Sequence, residues 1–269
     1  MTEERSSADP GSTSAGPAAR FDLTGKVAVV TGGSRGIGRA VAEGLAAAGA
    51  SVVVASRKEA ACEAAAAEIA SATGQDTLAL ACHVGHWDQC DALVDATYER
   101  FGHCEVLVNN AGMSPLYEDL TTVTEELYDK THAVNARGPF RISVQFATRM
   151  AAADGGSIIN VSTAGSLRPM AFDLPYAMAK AGLNALTLGL AGAFAPKVRA
   201  NLILPGAFDT DITDAWSPEV KAAAATTNPM GRIGQPDDLV GACLFLASDA
   251  SAYVNGSQLL VDGGSYRTL

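Results

Sequence analysis

Positive charge, cysteine and long apolar runs are all scarce in this chain of 269 residues. Nineteen Lys and Arg stand against 29 Asp and Glu, a formal net charge of −10. An acidic surface repels phosphate backbones, which disfavours general nucleic-acid binding. No uncharged stretch approaches the roughly 18 apolar residues of a membrane-spanning helix. The five cysteines, Cys62, Cys82, Cys90, Cys104 and Cys243, are odd in number and fit no disulfide framework for a chain this long. With no signal-peptide pattern, they point to a reducing, cytoplasmic setting. No Pro/Ser-rich linker interrupts Phe21–Leu269 and no internal repeat is visible, so residues 21–269 read as one domain. Residues 1–20 are rich in Ser, Ala, Gly and Pro and carry Glu3, Glu4 and Asp9. They read as a flexible tail, the acids weighing against a transit peptide.

What is present is core material: 48% of residues are apolar and 18% charged. From Lys26 onward, short apolar runs alternate with Ala-rich stretches. The runs Val27–Val30, Val52–Ala55, Thr77–Cys82, Val106–Val108, Ser157–Val161, Val198–Leu204 and Gln258–Val261 are continuously apolar. That pattern suits parallel strands covered on both faces. Ile37–Ala48, Glu59–Ala72 and Asp88–Phe101 are long enough for the helical crossovers such strands need. The expectation is an α/β fold with a doubly wound, mostly parallel sheet of about seven strands and helices on both faces.

The first strand runs into Thr31-Gly32-Gly33-Ser34-Arg35-Gly36-Ile37-Gly38 and then a helix. Glycine permits a sharp turn and close approach of a pyrophosphate, which the helix start favours electrostatically. Nucleotide choice is read after the second strand, where an acid would hold a ribose 2′-hydroxyl. Here the chain reads Ser56-Arg57-Lys58, with no acid. Arg57 and Arg35 suit a 2′-phosphate instead, so the expected cofactor is NADP(H) rather than NAD.

These motifs, followed in order by Asn109-Asn110-Ala111-Gly112, Asn135, Tyr176-Ala-Met-Ala-Lys180, and Pro205-Gly206 with Thr210, are similar to those of the short-chain dehydrogenase/reductase family. The likeness runs from Leu23 to Gly264 and implies a Rossmann-type, single-domain oxidoreductase. It implies that Tyr176 exchanges a proton with a carbonyl or alcohol oxygen and that Lys180 holds the nicotinamide ribose. Lys180 lies one helical turn from Tyr176, and a nearby ammonium is expected to lower the phenol's pKa. The family's third catalytic group is a hydroxyl, usually serine, 13 residues before the tyrosine. That count reaches Thr163, with Ser162 as the alternative one residue earlier. Asn135 matches an asparagine that kinks a helix and holds a water beside the lysine. Asn109, Ala111 and Gly112 are expected beneath the adenosine side, partly as structural supports. Thr210 is expected at the nicotinamide carboxamide.

His83, beside Val84, stands where many members carry an acid for the adenine amino group. Its spacing to His86 hints at a metal, but no further ligands are at sensible positions. The Cys82-His83-Val84 stretch with Ser56-Arg57-Lys58 resembles NADP-dependent carbonyl and retinal reductases. The Tyr176 region and C-terminal segment resemble 3-oxoacyl-[acyl-carrier-protein] reductases, so both branches stay open. Residues 211–228, with Trp216, are expected to form a substrate lid. Trp216, Met113, Leu116 and Phe172 are candidate pocket walls, and no Arg or Lys is evident for a substrate carboxylate. A small apolar ketone or aldehyde is therefore expected, and a homotetramer from the family's C-terminal interface region. A non-catalytic NADP sensor is the reading from another class, favoured only by threonine in place of serine.

Overall fold

The computed structural model describes residues 16–211, 213 and 216–268. Residues 1–15 of the expected tail, and Ile212, Asp214 and Ala215 of the expected lid, lie outside the described residues. The end of the expected tail is helical: Pro17–Phe21 form a 3-10 turn packed against the turn at Asp249–Ser251.

Seven strands form one sheet: β1 (Val27–Thr31), β2 (Ser51–Ser56), β3 (Thr77–Ala81), β4 (Val106–Asn109), β5 (Gly156–Val161), β6 (Val198–Pro205) and β7 (Gln258–Val261). Every pairing is parallel, in the order β3-β2-β1-β4-β5-β6-β7. Strand side chains alternate faces, and β1 shows the result. Ala28 and Val30 join one core with α1 (Gly36–Ala47), α2 (Glu59–Thr73) and α8 (Val240–Ala247). Val27 and Val29 join the other with α3 (Trp87–Phe101), α5 (Gly138–Ala151) and α6 (Leu174–Ala193). This two-sided burial is why the central runs are continuously apolar. The edge strand β3 is only half-buried. Two more helices are α4 (Glu125–His132), which packs on α6, and α7 (Pro218–Thr227), which is largely exposed.

Strand order reverses between β1 and β4, and parallel sheets leave a crevice above the carboxyl ends at such a point. The Gly-rich turn, Arg57, His83, the Asn109–Gly112 turn and Thr163 all follow strand ends.

Candidate active site

Thr31 ends β1 and ties the two halves of the sheet together. Its Oγ1 accepts the backbone N–H groups of Asn110 and Ala111, both at 3.1 Å, and Asn110 Nδ2 donates back to Thr31 O at 3.1 Å. Gly32 follows at φ +67°, and a Cβ on Gly38 would meet Gly32 O at 2.2 Å. Only glycine allows the turn and the first coil of α1 to press together here. No side chain caps α1, so its leading N–H groups and positive dipole end form a cradle for an anion. Beside it, Ser34 Oγ lies 2.9 Å from Ser56 Oγ, which lies 3.1 Å from Cys62 Sγ.

Past Ser56, Arg57 and Lys58 are exposed and have no ion-pair partner among the described residues. Arg35 differs from the expectation of a cation waiting for phosphate, because its guanidinium pairs with Asp211 at the start of the lid. His83 accepts the Gly85 N–H on Nδ1 at 3.1 Å and meets His86 edge-on at 4.7 Å. Burial, His86 and Arg57 all hold its pKa below the usual value. The Val84 carbonyl accepts Cys90 Sγ at 3.2 Å and is therefore occupied within the protein. Among the described residues no group of three or more His, Cys, Asp or Glu is placed to hold a metal ion.

Asn109 and Ser162 both turn inward. Asn109 is buried, and its Nδ2 donates to Ser143 Oγ and Asn160 Oδ1, both at 2.8 Å, while its Oδ1 is unpartnered. It braces β4 against β5. Ser162 donates to Asn184 Oδ1 at 2.7 Å.

Thr163 takes the opposite orientation: its hydroxyl accepts the Gly165 N–H at 3.2 Å and lies near enough to Tyr176 to favour the phenolate. Tyr176 and Lys180 lie on one face of α6, the ammonium 5.8 Å from the phenol ring centre. Lys180 is buried, and Nζ donates to Val161 O at 2.8 Å. Desolvation lowers its pKa to about 8. The phenol does not follow the expected downward shift. Burial first, then the Asp173 carboxylate, push its pKa up, and only the neighbouring Thr163 hydroxyl pulls it down. The ammonium points at a carbonyl rather than at the phenol oxygen, which removes the expected cause.

Asn135 sits in a π-helical turn, Ala133–Arg137, between α4 and α5. Its Nδ2 donates to Met113 O at 2.8 Å and Thr131 O at 2.9 Å, and its Oδ1 accepts Met113 N–H at 3.2 Å. A Cβ on Gly112 would lie 3.0 Å from Asn135 Oδ1 and 3.6 Å from Lys180 Nζ. Gly112 therefore lets these two groups converge. Thr210 borders the same crevice, 3.7 Å from where a Gly36 side chain would begin. Pro205 ends β6, and Gly206 lies so near Asp262 that a Cβ would come within 2.9 Å. Of the expected walls, Met113 and Trp216 are half-buried, and Leu116 and Phe172 are exposed.

A sequence model of the family described as enoyl-(acyl carrier protein) reductase matches residues 32–266. An L-rhamnose 1-dehydrogenase (NAD(P)(+)) from Azotobacter vinelandii is 40% identical over 255 residues, covering 92% of this chain and 99% of that protein. Dehydrogenase/reductase SDR family member 4 from Homo sapiens is 34% identical, covering 94% and 91%. A crystal structure of a gluconate 5-dehydrogenase from Burkholderia cenocepacia, in complex with NADP and tartrate, superposes with a TM-score of 0.89 at 34% identity. It covers 94% of this chain and 99% of that one.

The chain belongs to the short-chain dehydrogenase/reductase family. It is an oxidoreductase acting on CH–OH groups with a nicotinamide cofactor. The residues of this short-chain dehydrogenase/reductase fit a dinucleotide: a glycine-rich turn, an uncapped helix start and, past β2, cations with no ion-pair partner among the described residues.

Asn110 of the Asn109–Gly112 motif braces the Gly-rich turn. Two residues of the crevice escaped the motif reading. Tyr117 joins two loops, donating to Ala171 O at 2.6 Å and accepting Leu174 N–H at 2.9 Å. Asp173 lies three residues before Tyr176, without a motif to mark it.

Proposed function

We propose that this short-chain dehydrogenase/reductase interconverts a small neutral carbonyl compound and its alcohol, using NADP(H), with Tyr176 as the proton donor and acceptor. The observation that carries this reading is the buried Lys180 on the same face of α6 as Tyr176, its ammonium 5.8 Å from the phenol ring centre, with the Thr163 hydroxyl beside that phenol. A bound nicotinamide would supply or accept the hydride. In the reductive direction Tyr176 passes its proton to the substrate oxygen, and its raised pKa keeps it protonated at neutral pH. Thr163 donates a hydrogen bond to that oxygen as negative charge grows on it. Lys180 would hold the nicotinamide ribose, and its pKa near 8 suits it to return a proton to Tyr176. Asn135 steadies the turn at Met113 beside it.

NADP(H) over NAD(H) rests on Arg57 and Lys58, two unpaired cations where a carboxylate would be needed to favour a free 2′-hydroxyl. Buried, unbridged cysteines support a reducing cytoplasm. Exposed Phe140 on α5 and Met178 and Leu188 on α6 support assembly into a homotetramer.

The test is Tyr176→Phe, assayed with NADPH and a panel of ketones and aldehydes. Turnover is expected to fall by at least about a thousandfold while NADPH binding, followed by fluorescence, persists. Near wild-type turnover in the variant overturns the assignment. Wild-type protein that binds NADPH yet reduces nothing in the panel would favour a sensor.

A further inference from the structure

Asp173 is the residue before α6 and does not cap that helix. Its Oδ1 accepts the Met170 N–H at 3.1 Å, and its own backbone N–H also faces the carboxylate. No other residue donates to Oδ2 among the described residues. The carboxylate is half-buried, and desolvation raises its pKa. An aspartate in this position commonly spends its oxygens on the first free N–H groups of the helix. Here one oxygen is held for something else.

What it faces is set by Gly165. The point where a Gly165 side chain would begin lies 3.1 Å from Asp173 Oδ2 and 3.5 Å from Thr163 Oγ1. The absent side chain lets the carboxylate oxygen come close to Gly165 and brings it and the Thr163 hydroxyl around one point. Asp173 and Tyr176 are three residues apart at the start of one helix, hence on one face, and the carboxylate acts electrostatically on the phenol. A substrate whose carbonyl oxygen meets Tyr176 and Thr163 can therefore turn one adjoining carbon toward Asp173.

We propose that Asp173 Oδ2, beside Gly165 and the Thr163 hydroxyl, accepts a hydrogen bond from a hydroxyl on the carbon next to the reacting one. The substrate class is then a neutral α-hydroxy carbonyl compound, or the matching vicinal diol or polyol in oxidation. This rests on the assignment of Tyr176 and Thr163 above and adds a specificity-determining residue to it. A carboxylate cannot donate, so a bare apolar ketone leaves a partly desolvated oxygen unpaired, which disfavours it. An anionic substrate meets like charge. Exposed Met170, whose N–H reaches Asp173 Oδ1, and exposed Phe172, the residue before Asp173, suit the carbon skeleton.

The experiment compares kcat/KM for acetoin, butanone, acetoacetate and aminoacetone with NADPH. In the wild type, acetoin is expected to exceed butanone on the order of a hundredfold and acetoacetate by more. In Asp173→Ala that preference collapses to within about tenfold, chiefly through KM for acetoin, and the alkaline limb of the pH–rate profile moves to lower pH. Gly165→Ala retains Asp173 but sets a methyl group against Oδ2, and is expected to raise KM for acetoin in the same way. It guards against misfolding of the first variant. Equal use of acetoin and butanone by the wild type, an unchanged ratio in both variants, or a preference for aminoacetone over acetoin overturns the proposal while leaving the Tyr176 assignment standing. Loss of all ketone reduction by the wild type fails both.

Discussion

The Thr163 hydroxyl acts on the Tyr176 phenol, favouring its ionised form, although the two come from a loop after β5 and the first turn of α6. Ser162, one residue earlier, turns to Asn184 instead, 2.7 Å away. Thr163→Ala is therefore expected to lower kcat on the order of a hundredfold, the scale of one lost donor at a developing oxyanion. Thr163→Ser should recover most of it. Ser162→Ala should leave kcat within a few-fold and cost about 1 kcal/mol of stability, read by urea unfolding. The reverse ranking in kcat would exchange the roles of the two hydroxyls.

Arg57 stands free past the end of β2. Replacing it by alanine is expected to raise KM for NADPH about ten- to a hundredfold, with little change for NADH, because only the former brings a 2′-phosphate. Steady-state kinetics with both cofactors decide it, and parallel effects would show that Arg57 does not face that phosphate.

Arg35 is held by Asp211, and both side chains are more than half or about half exposed, so the pair is weak in water. Asp211→Asn should release the guanidinium and lower KM for NADPH about two- to fivefold, with no measurable change in Tm. A higher KM would mean that Asp211 itself orders the cofactor-binding loop.

Lys180 is buried, with a pKa near 8 in the fold against an ordinary 10.5. The unfolded chain thus binds the extra proton between about pH 8 and 10.5. Stability from this group is lowest below pH 8 and rises across that window. Lys180→Met is expected to stabilise the protein by up to about 3 kcal/mol at pH 7, with the gain shrinking toward pH 10.5. Paired denaturation curves at pH 7 and near pH 10 provide the check, alongside loss of activity.

The strand spans were legible because burial on both faces writes itself as uninterrupted apolar residues, as in Val27–Val30 and Val52–Ala55. Helix limits moved by a residue or so, as at Gly36 and Thr73, where terminal turns have no sharp sequence signal. The choice between Ser162 and Thr163 was not legible, because alternation shows that they face opposite ways but not which way the crevice lies. The same holds for Asn109 and Asn110. The phenol's pKa was misread for a related reason: spacing places Lys180 one turn away, but only the fold directs Nζ to Val161 O. Asp173 and Gly165 are eight positions apart and meet only once the loop after β5 closes against α6.

The reversal of strand order between β1 and β4 gives the molecule a division of labour. Coenzyme preference would be decided at Arg57 and Lys58 on one flank, and the chemistry at Thr163, Tyr176 and Lys180 on the other. Short bonds from Thr31 to Asn110 and Ala111 join the flanks without mixing their duties. Descendants of this chain can thus exchange one dinucleotide for another, or one alcohol for another, by separate and independent steps.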